Sequence, residues 1–182
     1  MSGYTRLDRA TEADCARVLA AHANHYVSTA PLRIMDQLRS LDQLSLGFPC
    51  DQLQHALMTA TLARAAGADD ETVVCALCHD LGKTLSVPNH AAIGAELLRP
   101  YVSEGHYLAV LHHQEFQSTH YNHLMGQPTN LRDPYHEESW YALAETLVDK
   151  WDMPAFDPDF AADPLESFEP AVIRIFSAPR FM

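Results

Sequence analysis

Histidine and aspartate recur along this chain at helix-length intervals: His55, then His79-Asp80, then His90, then His112-His113, then Asp152. Residues of this kind can be brought from separate helix ends and faces to one interior point of a helical bundle, which is how helical di-metal sites are built. Imidazole and carboxylate together suit iron, manganese or zinc. Six such groups are enough to hold two metals, with Asp80 free to bridge them. Eleven histidines in 182 residues is a high count, and these occupy helix positions that can face inward. The leading expectation is a dinuclear metalloenzyme.

The local signals are helical nearly throughout. Thr11 is a capping residue for a helix to Ser28, with Glu12 and Asp14 in its first turn. Pro31 can open a second helix to about Ser45, and Gly47-Phe48-Pro49 breaks the chain. Asp51 caps a helix with apolar positions at helical spacing that stops at Gly67. Asp69 or Asp70 caps the next, which ends at Gly82, and Asn89 caps another through Leu98. Ser103 caps a helix through about Phe116, residues 117–135 look irregular, and His136 to Trp151 reads as a helix. A last short helix spans Pro164 to Phe176. No alternating strand pattern or internal repeat is found, so the expected class is an all-α single domain over 1–182.

Composition narrows the function. Apolar residues make up 47% of the chain, so it should be globular. The net charge is −12, with 12 Lys+Arg against 24 Asp+Glu. A broad basic face is excluded, which argues against nucleic acid or an anionic membrane as partner. The N-terminus has no apolar signal region, and no apolar run approaches the roughly 20 residues of a membrane helix. A cytoplasmic location is expected, with Cys15, Cys50, Cys75 and Cys78 reduced. Cys75-Ala-Leu-Cys78-His79 matches a haem attachment motif, but it lies inside an apolar helical stretch and reads as buried helix cysteines.

The pattern H…HD…D, carried by His55, His79-Asp80 and Asp152, resembles the HD superfamily of metal-dependent enzymes, and His79–Lys83 (HDLGK) is similar to its core segment. The resemblance covers about residues 51–155 and implies an HD-domain helical bundle. Residues 1–46 would add N-terminal helices and 156–182 a C-terminal cap. His90 and His113 match the two extra histidines of the dinuclear branch. The resemblance implies that Asp80 bridges two metals, with His55, His79 and Asp152 on one and His90 and His113 on the other. His112 competes with His113 and is otherwise a donor beside the site. Asp149 is the alternative to Asp152. His120 and His123 are read as surface loop residues.

Two reaction classes use such a cage. A hydrolase would activate water and clamp a phosphate ester, such as a nucleotide. An oxygenase would use two iron ions, Fe(II)/Fe(III), with O2 and a small-molecule substrate; manganese or another divalent metal is the alternative. Three segments lean toward the oxygenases. Gln52–His55 and His90–Leu97 are similar to segments of the phosphonate dioxygenases, and Lys150–Met153 resembles the last-ligand segment of myo-inositol oxygenase. The resemblance makes Lys83, one of two lysines in the chain, a substrate-holding and catalytic candidate alongside Asp80. His112 and Gln117 are further substrate-contact candidates. Ser45 and Phe48 stand where the phosphonate dioxygenases carry a gating tyrosine and glutamate, and Gln117 replaces a lysine. These departures separate the iron chemistry from phosphonate as the substrate. Residues 156–170 are expected to cover the end of the bundle beside Asp152, and Phe116, Trp140, Trp151 and Phe156 to pack as core.

Overall fold

Side-chain caps set where four of the eight α-helices among the described residues begin. In the computed structural model, which describes residues 3–180, Thr11 and Asp14 form a reciprocal capping box ahead of α1 (Glu12–Ser40). The Asp51 carboxylate accepts from the Gln54 amide at 2.8 Å and opens α2 (Gln52–Ala65). Asp69 accepts from the Thr72 amide at 2.9 Å and opens α3 (Asp70–Cys78). Ser103 opens α5 (Glu104–Leu111). Each cap supplies a partner to an amide that the helix start leaves unpaired. The remaining helices are α4 (His90–Leu98), α6 (His113–Tyr121), α7 (Tyr141–Thr146) and α8 (Glu169–Phe176). No strand occurs among the described residues, and the chain is all-α as its sequence implies.

Five local expectations are corrected. Pro31 does not open a new helix, because α1 runs through it. A proline there removes one backbone hydrogen bond, but Pro31, Ile34, Met35 and Leu38 are buried, and this packing outweighs the local cost. Asn89 precedes α4 without a side-chain cap. The helix expected from Ser103 to Phe116 breaks at His112, and α6 then takes in residues 117–121. The helix expected from His136 begins only at Tyr141, and its last part, Leu147–Asp152, widens into a π-helix. The last helix begins at Glu169, after a separate tight turn over Leu165–Ser167.

The main core lies between α2, α3, α8 and the C-terminal part of α1. Leu38, Leu41, Ala60, Leu77, Leu98 and Phe168 are fully buried there. Removing a leucine- or phenylalanine-sized side chain from water stabilises by about 1.5–3 kcal/mol. Cys75 and Cys78 are part of this core, and burial pushes the Cys78 thiol up to about 12. Among the described residues no helix is long and apolar enough to cross a membrane.

Two glycines let the backbone close on itself where α3 and α4 meet. A Cβ at Gly82 would stand 2.2 Å from the His90 carbonyl oxygen and 2.8 Å from its Cα. One at Gly94 would stand 2.8 Å from the His79 carbonyl oxygen. Both neighbours are backbone, so no side-chain rotation relieves the clash. The turn after His79-Asp80 and the start of the His90 helix are thereby held against each other. Gly82→Ala is expected to cost about 1–3 kcal/mol through overpacking, lowering Tm by roughly 2–12 °C for a chain of this size. Thermal unfolding followed by circular dichroism checks this; an unchanged Tm would mean that the turn yields freely.

Candidate metal centre

His55, His79, Asp80, His90, His113 and Asp152 meet inside the bundle, none more than 5% exposed. On one side, His55 Nε2 lies 3.1 Å from Asp152 Oδ1 and 3.3 Å from His79 Nε2. On the other, His90 Nε2 lies 3.0 Å from Asp80 Oδ1 and 3.3 Å from His113 Nε2. Asp80 sits between them, with Oδ2 at 3.5 Å from both His55 and His79 Nε2 and Oδ1 at 3.6 Å from His113 Nε2. The π-helix carries Asp152 into the cluster from the end of the α7 segment. Wide turns of this kind recur at functional sites because they re-aim a side chain without ending the helix.

The tautomers follow from the hydrogen bonds. His55 Nδ1 lies 2.9 Å from the Ala155 carbonyl, His79 Nδ1 2.8 Å from Ala76, His90 Nδ1 2.7 Å from Val87 and His113 Nδ1 2.7 Å from Val110. A carbonyl oxygen can only accept, so each Nδ1 carries a proton and each ring turns its Nε2 inward. At 3.3 Å, two Nε2 lone pairs facing each other repel unless a proton or a metal ion lies between them. Asp80 Oδ1 and Asp152 Oδ1 are buried and have no hydrogen-bond partner among the described residues. An ionised oxygen left this way is costly. A positive charge among these atoms removes both penalties. His55, His79 and Asp152 form one group able to hold a metal ion, and His79, Asp80 and His113 another. Carbonyl-anchored imidazoles and buried carboxylates are the donors that such an ion requires.

More than half of the chain, residues 53–152, matches the HD domain family, from the second residue of α2 to the end of the π-helix. The chain belongs to the HD domain family. HD domain proteins are typically metal-dependent enzymes, hydrolases and oxygenases among them. No curated protein matches this HD domain chain.

The cluster forms the floor of a cavity of about 560 Å³, reached by His55, Asp80 and His90. Lys83, Gln114, Gln117 and Tyr121 are its other polar walls; Leu46, Phe48, Val87, Met125, Met153 and Phe156 are apolar. Lys83 Nζ donates to the Asp80 carboxylate and to Gln52 Oε1 at 2.7 Å. Gln117 Nε2 donates to Asp152 Oδ2 at 2.6 Å, so it orients that carboxylate as well as lining the cavity. His112 is elsewhere. Its ring packs against Tyr135 and Trp140 and its Nδ1 faces Glu115, which takes it out of both the donor cluster and the cavity wall. Asp149 is likewise outside, paired with His120 at 2.8 Å and Arg132 at 3.2 Å. His120 is therefore a helix residue hydrogen-bonded to Asp149 rather than a loop residue.

Phe116, Trp140 and Trp151 are buried packing, as expected. Phe156 does both: it packs against the small cluster of Cys50, Met58 and Ala155, and it lines the cavity and stacks on the His55 ring at 4.4 Å. Gln52, Gln114, Tyr121, Met125 and Met153 are neighbours of the site that residue patterns left unmarked. Gln52 precedes His55 by one turn of α2, a legible same-face spacing. Gln114, Gln117 and Tyr121 share a face of α6, hidden in the sequence because the helix is unbroken at His112 in any periodicity reading.

Burial alone pulls the His79 imidazole down, but the Asp80 and Asp152 carboxylates outweigh it and raise its pKa to about 9. Burial would raise Asp80; charge on His79, with His113, His90 and Lys83, instead holds it well below the usual carboxylate range. His79 and His55 do the same for Asp152 against its burial. In the metal-free protein His79 thus keeps a second proton at neutral pH, on the Nε2 that a metal would take. Its stabilising effect is complete below the ordinary value of 6.5 and is lost as pH rises through about 9. Because proton and metal compete, zinc affinity is expected to rise between pH 6.5 and 9, by up to about tenfold per unit, and then level off. Chelator competition titrations read this directly, and a flat profile would contradict a shared site. In the same assay His113→Ala should lose bound metal, while His112→Ala should retain it; the reverse would exchange their roles.

Proposed function

We propose that this HD domain protein is a dinuclear, mixed-valent diiron oxygenase that uses O2 to cleave a C–P or C–C bond of a small hydroxylated substrate. The observation that supports this best is the two-sided donor cluster around Asp80, with His55, His79 and Asp152 on one face and His90 and His113 on the other. His55, His79, Asp80, His90, His113 and Asp152 would hold two iron ions, with Asp80 between them. Two irons there would supply the O2 chemistry that attacks a C–H beside a hydroxyl. Lys83 holds the Asp80 carboxylate and presents its remaining N–H to the cavity, where it contacts the substrate. Gln117 keeps Asp152 in one orientation. Leu46, Phe48 and Phe156 limit water around the cluster. The protein's work is to bind, orient and exclude.

The cavity favours this over a phosphohydrolase acting on a nucleotide or other phosphate ester. Among the described residues Lys83 is its one lysine or arginine and is already paired with Asp80, which leaves little to neutralise a phosphate ester beyond the metals themselves. Residues 1–182 are proposed to act as a single HD domain in the cytoplasm, with the N-terminal α1 and the segment after residue 155 flanking the core. Manganese or another divalent metal would be the cofactor under the hydrolase reading.

Protein expressed with iron and purified without oxygen is expected to hold about two irons per chain. Limited exposure to air should produce the EPR signal of a coupled Fe(II)/Fe(III) pair, and Asp80→Ala should lose both ions. Phosphatase activity on nucleotides with manganese, nickel or magnesium, and no such signal, would replace the oxygenase with the hydrolase. Full metal content in Asp80→Ala would remove the bridge.

A further inference from the structure

The walls of the cavity are sorted by polarity. Its floor is the donor cluster, with Lys83 beside Asp80. Its rim is apolar and exposed: Leu46 is 45% exposed, Phe48 43%, Val87 45% and Met125 58%. Single exposed apolar side chains are ordinary, but a group of them around one opening marks a binding surface. A stacked pair joins rim to floor, since Phe48 stacks on Phe156 at 5.2 Å and Phe156 stacks on His55 at 4.4 Å. Lys83 Nζ lies 5.6 Å from the Phe48 ring centre, so the cation is placed at the inner end of this aromatic wall.

The loop that carries Leu46 and Phe48 is held at some cost. Leu46 has φ +50 and the following Gly47 φ +83. A left-handed conformation is unfavourable for leucine, and it occurs here where the side chain lines the cavity. The volume of about 560 Å³ is that of a small-molecule site, which typically spans roughly 300–1,000 Å³, rather than a protein docking face.

We infer that the cavity takes a substrate with a compact polar head, bearing a hydroxyl and whatever negative charge it has, and an uncharged apolar tail lying against Leu46, Phe48, Met125 and Phe156. The assignment of the head to the metal face rests on the oxygenase reading; the tail site rests on the walls alone. Away from the metal face the lining offers little to a negative charge, since among the described residues Lys83 is its one lysine or arginine and is already paired. A chain of net charge −12 gives no long-range help to a polyanion.

The test uses the zinc-loaded full chain, which is redox-silent, and measures calorimetric binding of glycolate, 2-hydroxybutanoate and 2-hydroxyhexanoate, with ATP as the polyanion. Affinity is expected to rise by about fourfold per added methylene, the factor that burial of a CH2 group implies, and ATP should bind more weakly than 2-hydroxyhexanoate. Phe48→Ala and Met125→Ala, both at exposed positions, should flatten that gradient. Lys83→Ala should weaken all three acids by a similar factor. No gradient in the wild type, or tighter binding of ATP, overturns the inference. So does a dimer seen by light scattering that Phe48→Ala splits, with no gradient, since the rim would then be an interface between copies. A gradient in zinc protein whose iron form consumes no O2 keeps the tail site and rejects the oxygenase; O2 consumption without a gradient does the opposite.

Discussion

Four hydrogen bonds from imidazole to backbone carbonyl organise this molecule. They fix Nδ1 as the outward donor, and so decide that four Nε2 atoms face two buried carboxylates. Three of the four are the same local device, a histidine bonded to the carbonyl three residues before it: His79 to Ala76, His90 to Val87 and His113 to Val110. Each of these histidines stands at a helix boundary, just after α3 or at the first residue of α4 and α6. Helix boundaries leave carbonyls without a regular partner inside the helix. An imidazole can occupy one there and still project its other nitrogen outward. The helix breaks are thus part of the site's construction.

That construction explains why His113 and not His112 joins the cluster. The chain breaks between α5 and α6 at His112, whose backbone serves the turn while its ring joins Tyr135 and Trp140. His113 opens the new helix, bonds back to Val110 and reaches Asp80. A continuous helix would put these adjacent side chains about 100° apart around the axis, and either could have been the inward one. The π-helix at Leu147–Asp152 settles the similar competition between Asp149 and Asp152, leaving Asp149 on the side of Arg132 and His120.

The polar cluster would weaken the fold if nothing surrounded it. Burying two carboxylates costs several kcal/mol each unless they are paired. The surrounding structure offsets this with a dense apolar core on one side and with close backbone contact at Gly82 and Gly94. On the other side the cluster opens onto the cavity, where Lys83 and Gln117 each hold one carboxylate oxygen. The same groups that stabilise the buried charges therefore stand where a substrate would meet them. This coupling of stability to the site is expected where a polar interior is kept for function.

Much of this was legible in the residue order. The caps Thr11, Asp51, Asp69 and Ser103 and the all-helical class follow from local chemistry and spacing, because capping and periodicity act over one or two turns. The recurrence of histidine and aspartate is visible too, but the choice of His113 over His112 and of Asp152 over Asp149 comes from the resemblance to the HD superfamily. What local rules could not decide was decided by packing. The passage of α1 through Pro31, the break at His112 and the π-helix before Asp152 each trade a local preference for burial or for a lone pair aimed at a distant carboxylate. The apolar rim of Leu46, Phe48 and Met125 comes from segments far apart in the chain and has no pattern in it. The sequence by itself determined the chemistry of the donors. Only the tertiary structure decided which way they point and what surrounds them, since both depend on contacts between residues that no local spacing relates.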